Sequence, residues 1–486
     1  MGAELVQAGR GTDSRIGGSG VKTGRGRLIV VANRLPVHRV KRKGRSVWET
    51  SPGGVVSALR PLVTEAGGAW VGWSGTTGRA PAAFEFDTIQ IRPVSVTAEQ
   101  VEKYYGGFSN ATLWPLYHDC VRTPQFHRRW WWPYVDVNRQ FAEATAQEAR
   151  PGDTVWVHDY QLQLVPGMLR ELMPEVRIGF FMHIPFPPLE LFAQLPWRRE
   201  ILSGMMGSDL VGFQTPQGAK NFAAACRRYG GARGSDRELE FRGRKVRVGP
   251  FSISIDIEHT ESTAMSAPVQ ERAEELRRGV SPNLNGRRKI LLGVDRLDYT
   301  KGIEIRLRAF EELLRRGVHT VDSCVMVQIA VPSRETVGEY AELRAYVEQL
   351  TGRINGEYGE AGKAAVHYLR RNLDFEELVA YYRAADVMLV TPLRDGMNLV
   401  AKEYVIAKTD DVGTLVLSEF AGAAQELGAG SLLVNPHDID GLAATMEVAL
   451  SMEPTEARRR MGLLQRAVRK NDVYGWADSF LGALTS

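Results

Sequence analysis

The stretch VMLVTPLRDGMNLVAKEYVIAK, residues 387–408, decides the fold class of this chain. Its first residues are mainly apolar, as in a strand buried within a parallel sheet. Polar residues and a glycine follow at 392–398, and the rest of the stretch is typical of a helix. A strand, a polar tip and a helix in succession form the repeating unit of a parallel sheet with helices on both faces.

The same unit recurs along the chain. Strand, polar tip and helix are found at 154–172, 209–229, 289–314 and 414–427, and strands that end in polar residues, a loop or a turn are found at 28–34, 69–75, 176–188 and 324–334. We therefore predict an α/β fold with two doubly wound domains that face each other across a cleft. Residues 27–250 are assigned to the first domain and residues 251–471 to the second.

Three further segments complete this prediction. Residues 1–26 are rich in Gly, Ser and Arg and are predicted to be a flexible tail. The join between the domains, near 250–285, is polar and non-periodic. A last helix at 472–486 is assigned to the first domain, although its pattern fits packing on either one.

The composition is ordinary for an α/β protein, with 44% hydrophobic and 24% charged residues among 486. The 61 basic and 57 acidic residues nearly balance, which argues against a nucleic-acid-binding surface. The sequence has no run of 18 apolar residues, so no membrane span is expected. Cys120, Cys226 and Cys324 show neither CxxC nor zinc spacing, and sparse cysteines are typical of a reducing compartment. We expect a cytoplasmic protein.

The loop at 395–400 carries the strongest chemical signal. Gly396 allows a close backbone approach, and the first amides of the following helix have no internal partner, so they can hold a diphosphate. Asp395 can accept hydrogen bonds from sugar hydroxyls. Glu403, one turn into the helix, can bind a ribose diol. The alternative is an Asp at a helix N-terminus followed by an exposed helical Glu.

Cations follow two other strands of the second half. Arg296 and Lys301 flank a four-residue loop, and two positive charges near a strand end suit a leaving diphosphate. The alternative is a solvated loop with an ion pair to Asp298. Arg334 ends a third strand, where a lone arginine is more often structural.

The first half offers a matching set of strand-end residues. Arg34 could hold an acceptor phosphate, and Gly54, which opens the next helix after Gly53, could approach a donor phosphate. Asp159 and His183 each end a strand, where exposure to the cleft is expected.

Aromatic side chains lie near these positions in sequence. Tyr105 and Trp114 could stack on sugar rings, with core packing as the alternative. The run Trp130, Trp131 and Trp132 is expected to pack in the core.

Several other site types are excluded or disfavoured. The sequence contains no GxxxxGKS/T, GxGxxG or HExxH motif. Asp438 and Asp440 match an Asp-x-Asp metal pattern, but they directly precede a helix and fit a helix cap better. A final feature is a run of basic residues, interpreted as a solvated loop with a mobile phosphate-binding flap as the alternative; it comprises Arg39, Lys41, Arg42, Lys43 and Arg45.

Together and in this order, the motifs resemble those of the trehalose-6-phosphate synthase family of retaining glycosyltransferases. The matching motifs are NRLP at 33–36, SPGG at 51–54, YYGGFSNATLWP at 104–115, HDYQL at 158–162, HIPFP at 183–187, GVDRLDYTKG at 293–302 and PLRDGMNLVAKEY at 392–404. The resemblance covers residues 28–485 and implies a GT-B fold. It also implies transfer of glucose from a nucleotide-glucose to glucose-6-phosphate.

The resemblance assigns roles to individual residues. The acceptor group is Arg34, Tyr105, Trp114 and Arg334. The polar pair near the reacting carbons is Asp159 and His183, with catalytic roles shared by Arg296 and Lys301. The donor group is Gly54, Arg296, Lys301, Asp395, the amides of Gly396, Met397, Asn398, Leu399 and Val400, and Glu403 at the ribose.

The implied mechanism is front-face substitution with retention, in which His183 hydrogen-bonds the donor sugar and Asp159 orients hydroxyls. A double displacement through Asp159 is the alternative. UDP-glucose is the family's usual donor, with GDP-glucose and ADP-glucose left open. No cofactor, metal, nucleic acid or membrane partner is expected, and the oligomeric state is left open, with a homodimer or homotetramer as the options. The rival functions are a pseudo-glycosyltransferase and a non-catalytic sugar-phosphate sensor.

Overall fold

The computed structural model describes residues 26–42, 45–51, 54–281, 288–333 and 338–486. In the first half, the strands within these ranges are β1 (Leu28–Arg34), β2 (Val37–Arg42), β3 (Arg45–Thr50), β4 (Ala69–Trp73), β5 (Phe84–Phe86), β6 (Ile89–Val94), β7 (Thr154–His158), β8 (Arg177–Met182), β9 (Leu210–Phe213), β10 (Arg233–Gly234), β11 (Glu238–Phe241) and β12 (Arg244–Pro250). The strands of the second half are β13 (Lys289–Arg296), β14 (Cys324–Val331), β15 (Val366–Leu369), β16 (Val387–Val390), β17 (Thr414–Ser418) and β18 (Leu432–Val434).

Helices cover both sheets. Those of the first half are α1 (Gly54–Glu65), α2 (Ala98–Gln100), a π-helix (Val101–Leu113), α3 (Trp114–Tyr117), α4 (Arg128–Glu148), α5 (Val165–Leu172), α6 (Leu189–Phe192), α7 (Arg198–Met205) and α8 (Pro216–Tyr229). The remaining helices are α9 (Ile257–Met265), α10 (Ala267–Val280), α11 (Ile303–Arg315), α12 (Gly338–Tyr358), α13 (Phe375–Ala384), α14 (Leu399–Ala407), α15 (Ala424–Leu427), α16 (Ile439–Ser451), α17 (Pro454–Val468) and α18 (Val473–Thr485). No helix in the described ranges is long and apolar enough to cross a membrane.

The strand order of each sheet creates one switch point. In the first sheet the order is β10-β11-β12-β9-β8-β7-β1-β4-β6-β5, parallel from β12 to β6 with antiparallel strands at both ends. The chain runs outward from β1 to β6, then returns to place β7 on the other side of β1. In the second sheet the order β15-β14-β13-β16-β17-β18 repeats this reversal between β13 and β16. Ligands of open parallel sheets bind at such reversals, outside the carboxyl ends of the strands.

The apolar strands explain why these sheets are buried on both faces. Every residue of β7 is buried, and so are all residues of β8 after Arg177. Such continuous apolar runs are typical of parallel strands covered by helices on both sides. The predicted α/β fold with two doubly wound halves is confirmed.

The last helix packs on the first sheet. The ring of Phe480 in α18 stacks on Trp156 of β7, with 4.6 Å between the ring centroids. A methyl group added at Gly179 or Gly212, on β8 and β9, would lie 2.7 or 2.6 Å from the same phenyl ring. Glycine is therefore required on both strands where the helix crosses them. The domain limits near residues 250 and 471 stay predictions.

Two predicted irregular segments are ordered secondary structure. The join is predicted to be non-periodic, but its described part forms the helices α9 and α10. Asp256 caps the start of α9 by accepting a hydrogen bond from the His259 amide. The basic loop at 39–45 is largely the β2–β3 hairpin, in which Arg39 lies over the ring of Trp48. Lys43 and the predicted tail up to residue 25 lie outside the described residues.

Candidate active site

The candidate residues follow the strands that flank the two switch points. Arg34 ends β1, and Asp159 directly follows β7, the strand beside it. Arg296 ends β13, and Asp395 lies in the loop after β16, again the neighbouring strand. His183 follows β8, next to β7. The fold thus brings these side chains to the same edges of the two sheets.

Asp159 occupies a strained backbone position. Its φ of 75° and ψ of 171° lie in a region that side chains other than glycine seldom adopt. One carboxylate oxygen accepts a hydrogen bond from the amide of His183 at 3.2 Å. Burial raises the pKa of Asp159 to about 6, although backbone hydrogen bonds and the charge of Arg296 oppose the rise. Such strain persists only where the surrounding structure holds the residue in place, and strained residues are concentrated at functional sites.

The ring of His183 has protein groups at both nitrogens. Its Nε2 lies 3.0 Å from Nδ1 of His158, and its Nδ1 lies 3.5 Å from the side-chain nitrogen of Gln214. Burial lowers the pKa of His183 to about 3 and takes the pKa of His158 well below its usual value. A direct hydrogen bond from this ring to a donor sugar therefore requires one of these two contacts to be exchanged.

Asp395 is held by a cation and an amide. The ammonium of Lys301 pairs with its Oδ2, and the side-chain nitrogen of Asn398 donates to the same oxygen at 3.2 Å. Burial alone would raise the pKa of Asp395, but the charge and hydrogen bond of Lys301 bring the net shift below the usual value. The carboxylate is therefore ionised at neutral pH and oriented for hydrogen bonding.

The loop at 395–398 presses against the first half. A methyl group added at Gly396 would lie 2.1 Å from the carbonyl oxygen of His183, so only glycine fits there. Asn398, with φ of 89°, caps α14 by accepting a hydrogen bond from the amide of Ala401 at 3.3 Å. The amides of Leu399 and Val400 are therefore the first of α14, and they lie beside the contact between the two halves. Such a helix start attracts anions.

Arg296 and Trp114 join the two halves at another point. The guanidinium carbon of Arg296 lies 5.3 Å from the centroid of the Trp114 ring, and Nε1 of Trp114 donates to Asp298 at 3.3 Å. The loop after β13 is not solvated, because Asp298, Tyr299 and Thr300 are buried. The ion pair that Lys301 forms is with Asp395.

Arg34 lies in a small aromatic assembly. Its guanidinium carbon is 4.5 Å from the ring centroid of Trp73, and Tyr105 meets that tryptophan edge-on at 5.9 Å. The main-chain atoms of Gly75 lie so close to this guanidinium that an added methyl group would sit 2.2 Å from it. The side chain of Arg34 remains exposed at the strand end. An exposed cation oriented in this way can bind a phosphate.

Glu403 lies in α14 with a defined partner. It accepts a hydrogen bond from the hydroxyl of Tyr382 at 2.8 Å. Burial raises the pKa of its carboxyl group, against the effect of that hydrogen bond. The side chain is only partly exposed, so the alternative of an exposed helical Glu does not hold.

Some candidate positions are only partly described. Gly54 begins α1, while Gly53 lies outside the described residues. Arg334 lies outside them as well.

Met397 is buried and joins the loop to the following segment, since its carbonyl oxygen accepts a hydrogen bond from the amide of Ala423 at 2.9 Å. Asp438 caps α16 by accepting from the amide of Gly441, which confirms its interpretation as a helix cap.

Among the described residues, no group of three or more His, Cys, Asp or Glu side chains could hold a metal ion. In the tryptophan run, Trp131 is buried as expected, but Trp132 is 59% exposed. The run is therefore not wholly part of the core.

Several residues at the site were not singled out from the sequence. His158, Gln214 and His118 line the same region, and His118 packs on Trp114 with 4.2 Å between the ring centroids. Gln214 directly follows β9, so the strand-end signal that identified Asp159 applied to it as well. Tyr382 had no such signal, because it lies inside a helix.

A cavity of about 440 Å³ opens between the halves beside these loops, lined by Asp119, Val121, Arg122, Tyr299, Glu304, Leu393, Phe420 and His437. Asp119 at its wall pairs with Arg394 at 3.1 Å, which ties the first half to the residue before Asp395. The two halves are therefore linked by charge as well as by backbone packing.

Each half contributes positive groups at the ends of its strands. Arg34 approaches from the first half, while Arg296, Lys301 and the start of α14 approach from the second. Each half also contributes an acidic residue: Asp159 in the first half, which feels the charge of Arg296, and Asp395 in the second, which pairs with Lys301. Such a site can bind two anionic molecules and stabilise negative charge that develops on one of them.

Comparison with known proteins agrees with this geometry. The model of glycosyltransferase family 20 matches residues 26–486. The chain is 54% identical over 485 residues to a trehalose-6-phosphate synthase of Mycobacterium avium (strain 104), covering 96% of this chain and 98% of that relative. It is 52% identical over 469 residues to the trehalose-6-phosphate synthase of Mycolicibacterium smegmatis, covering 94% and 92% of the two chains.

Solved structures give the same result. A UDP-forming α,α-trehalose-phosphate synthase from Burkholderia xenovorans in complex with glucose-6-phosphate superposes with a TM-score of 0.87 and 35% identity, covering 95% of this chain and all of that one. An E. coli structure bound with UDP-2-fluoro glucose superposes with a TM-score of 0.84 and 35% identity, covering 95% and 99%.

Proposed function

The chain belongs to glycosyltransferase family 20, and on that premise we propose that it transfers glucose from a nucleotide-glucose to glucose-6-phosphate, giving α,α-trehalose 6-phosphate and a nucleoside diphosphate. Its architecture is GT-B, with two facing parallel-sheet domains. The observation that carries the proposal is the contact of Gly396 with the carbonyl of His183. This contact brings the donor loop of one half against the candidate reacting centre of the other.

The acceptor is assigned to the first half. Arg34 is exposed at the end of β1 and would pair with the phosphate of glucose-6-phosphate, while Tyr105 and Trp114 would line the sugar. Arg334 completes this group by resemblance. The Burkholderia relative, which was solved with glucose-6-phosphate, supports the choice of acceptor.

The donor is assigned to the second half. Asp395 and the amides at 396–398 would hold the glucose, and Arg296, Lys301 and the amides of Leu399 and Val400 would hold the diphosphate. Glu403 would bind the ribose. UDP-glucose is the proposed donor, supported by the UDP-forming relatives, with GDP-glucose and ADP-glucose as the alternatives.

The proposed chemistry is a front-face substitution with retention. The bond between the anomeric carbon and the phosphate oxygen breaks, and a bond to the acceptor hydroxyl oxygen forms on the same face. The acceptor proton passes to the departing phosphate oxygen, so the protein need not supply a strong base. Arg296, Lys301 and the amides of α14 stabilise the charge that develops on the leaving group.

Asp159 and His183 are proposed to organise the reacting centre. With a pKa of about 6, Asp159 is mostly ionised at neutral pH and can orient sugar hydroxyls. The alternative is a double displacement in which Asp159 forms a covalent bond to the sugar. A 2-fluoro donor and mass spectrometry of the digested protein would detect that adduct, and its detection would replace the front-face proposal.

One incubation tests the function. The purified chain is mixed with glucose-6-phosphate and, separately, UDP-, GDP- or ADP-glucose, and the products are analysed by mass spectrometry and anomeric NMR. A phosphorylated disaccharide with two α-anomeric signals is expected. Substrate binding without product would indicate a sugar-phosphate sensor. Product formed only with cyclitol substrates would indicate a pseudo-glycosyltransferase.

A further inference from the structure

His158, His183 and Gln214 form a row of side chains at the ends of three adjacent strands, β7, β8 and β9. The nearest atoms of the two imidazoles, Nδ1 of His158 and Nε2 of His183, are 3.0 Å apart. At its other nitrogen, Nδ1, His183 faces the side-chain nitrogen of Gln214 at 3.5 Å. Each contact needs one donor and one acceptor, so the proton positions along the row depend on one another.

The orientation of Gln214 fixes one end of the row. Its side-chain oxygen accepts a hydrogen bond from the main-chain amide of Ile253 at 3.0 Å. A main-chain amide can only donate, so the oxygen must face Ile253 and the NH₂ group must face His183. At that contact Nδ1 of His183 is therefore the acceptor.

The two imidazoles share a single proton in their contact. Desolvation lowers the pKa values of both rings, so both are neutral at physiological pH. If Nδ1 of His183 is an acceptor, the single ring proton of His183 is on Nε2 and points to His158. The reverse arrangement would place two donors face to face between His183 and Gln214.

We propose that Gln214 and His158 are positioning residues that hold His183 as one neutral tautomer, with its proton on Nε2 and donated to Nδ1 of His158. Nε2 of His158 then carries the second proton; within the described residues that atom has no hydrogen-bond partner. The ring of His158 is buried and packs on Trp156, with 4.7 Å between the ring centroids.

The consequence for the site lies in the main chain of His183. Its amide donates to Asp159, and its carbonyl is the surface on which Gly396 rests. A ring fixed at both nitrogens keeps these two backbone groups in place. The effect on catalysis rests on the proposed function, but the tautomer itself does not.

The tautomer can be measured directly in the substrate-free protein. Histidine is labelled with nitrogen-15, and long-range nitrogen–proton NMR spectra separate the protonated from the unprotonated ring nitrogen. The signal of His183 is assigned by its loss in His183→Gln. We expect a protonated Nε2 and an unprotonated Nδ1 for His183. A protonated Nδ1, or a charged ring at pH 7, would overturn the proposal.

Gln214→Glu tests the role of the amide. A carboxylate at this position can only accept, so His183 should become protonated at Nδ1 and reverse its tautomer, or become charged. The matched control is Gln217→Glu, which adds the same charge at an exposed position of α8 and should leave the His183 spectrum unchanged. An unaltered His183 spectrum in Gln214→Glu would show that Gln214 does not set the tautomer.

Kinetics give the second readout. If the enzyme makes trehalose 6-phosphate, Gln214→Glu should lower kcat about tenfold, the size expected for one lost buried hydrogen bond, while Gln217→Glu should not. If the wild-type protein makes no such product, the proposed function fails while the NMR result still decides the tautomer. An unchanged kcat together with a reversed tautomer would remove the catalytic part of the inference.

Discussion

The ammonium of Lys301 and the carboxylate of Asp395 form an ion pair between the loops that follow the neighbouring strands β13 and β16. Only 12% and 15% of the two side chains are exposed. The pair lies at the reversal of strand order in the second sheet, where ligands of such sheets bind. If the proposed function is right, substrate binding and local stability depend on the same two charges.

Asp395→Asn should weaken both properties. Removal of one charge leaves Lys301 partly buried without its partner, and we expect a loss of about 1–3 kcal/mol in the free energy of unfolding. Calorimetric titration should also show weaker binding of nucleotide-glucose. The control is Glu348→Gln, which removes a carboxylate from the surface pair with Arg344. Equal effects of the two variants would contradict this account.

Arg296→Ala and Lys301→Ala should each slow turnover strongly. Loss of one group that stabilises the leaving diphosphate should raise the barrier by about 2–4 kcal/mol, or roughly 30- to 1000-fold in kcat. Steady-state kinetics at saturating substrate measure the change, with the exposed Arg278→Ala as control. Near-normal rates in both variants would remove these residues from the catalytic group.

Asp159→Asn should stabilise the protein at neutral pH. The folded pKa of about 6 lies above the ordinary value of 3.8, so the native state binds this proton more tightly and loses stability as pH rises between these values. At pH 7 the neutral Asn should raise the free energy of unfolding by up to about 3 kcal/mol, and at pH 4 the gain should vanish. Denaturant unfolding at both pH values is the measurement.

The same residue predicts a pH dependence of activity. If the ionised Asp159 orients hydroxyls, kcat/KM of the wild type should fall as pH drops through about 6. Asp159→Asn should be slow at every pH and lack this step. An unchanged step in the variant would assign it to another group.

Gly396→Ala should separate the two halves locally. The added methyl group would lie 2.1 Å from the carbonyl oxygen of His183, so the loop must move away from the first half. We expect a loss of activity of at least tenfold, in line with the effect of small misplacements on catalysis. Gly352→Ala is the control, because it lies in α12 with no atom within 4 Å of the new group. Comparable activity in both variants would show that this contact is dispensable.

Arg34→Ala should discriminate between phosphorylated and free acceptors. If Arg34 binds the phosphate, the variant should raise KM for glucose-6-phosphate by about tenfold or more, with little change in any activity towards glucose. Arg334→Ala should also raise KM for glucose-6-phosphate if the role that the resemblance assigns to Arg334 is correct. Equal losses with both acceptors would indicate a structural role.

Much of the fold was predictable because strand, polar tip and helix follow each other so regularly. The strand ends at Arg34, Asp159, His183 and Arg296 all come at the predicted places. Periodicity did not reveal the two helices of the join, whose apolar positions are few: only Thr260 and Ala264 of α9 are buried. Nor did it reveal the antiparallel strands at the sheet edges, which pair with neighbours that local pattern does not identify.

The positions of the candidate residues at strand ends were predictable, but their pairings were not. The sequence placed Lys301 and Asp395 in the same cleft, yet the choice of Asp395 over Asp298 as partner depends on how two loops fold in space. The contact of Gly396 with His183 depends on the packing of one half against the other. Such relationships are set by tertiary structure and leave no local signal.

The position of α18 affects how the newly made chain can mature. Strand β9 ends at Phe213, but the helix that covers β8 and β9 begins only at Val473, 260 residues later. At about 5–20 residues per second, the ribosome needs roughly 13–50 s to cross that distance. During this interval Trp156, Gly179 and Gly212 lack the ring of Phe480 that covers them in the finished protein. The core of the amino-terminal half is thus expected to be completed only after α18 has been synthesised.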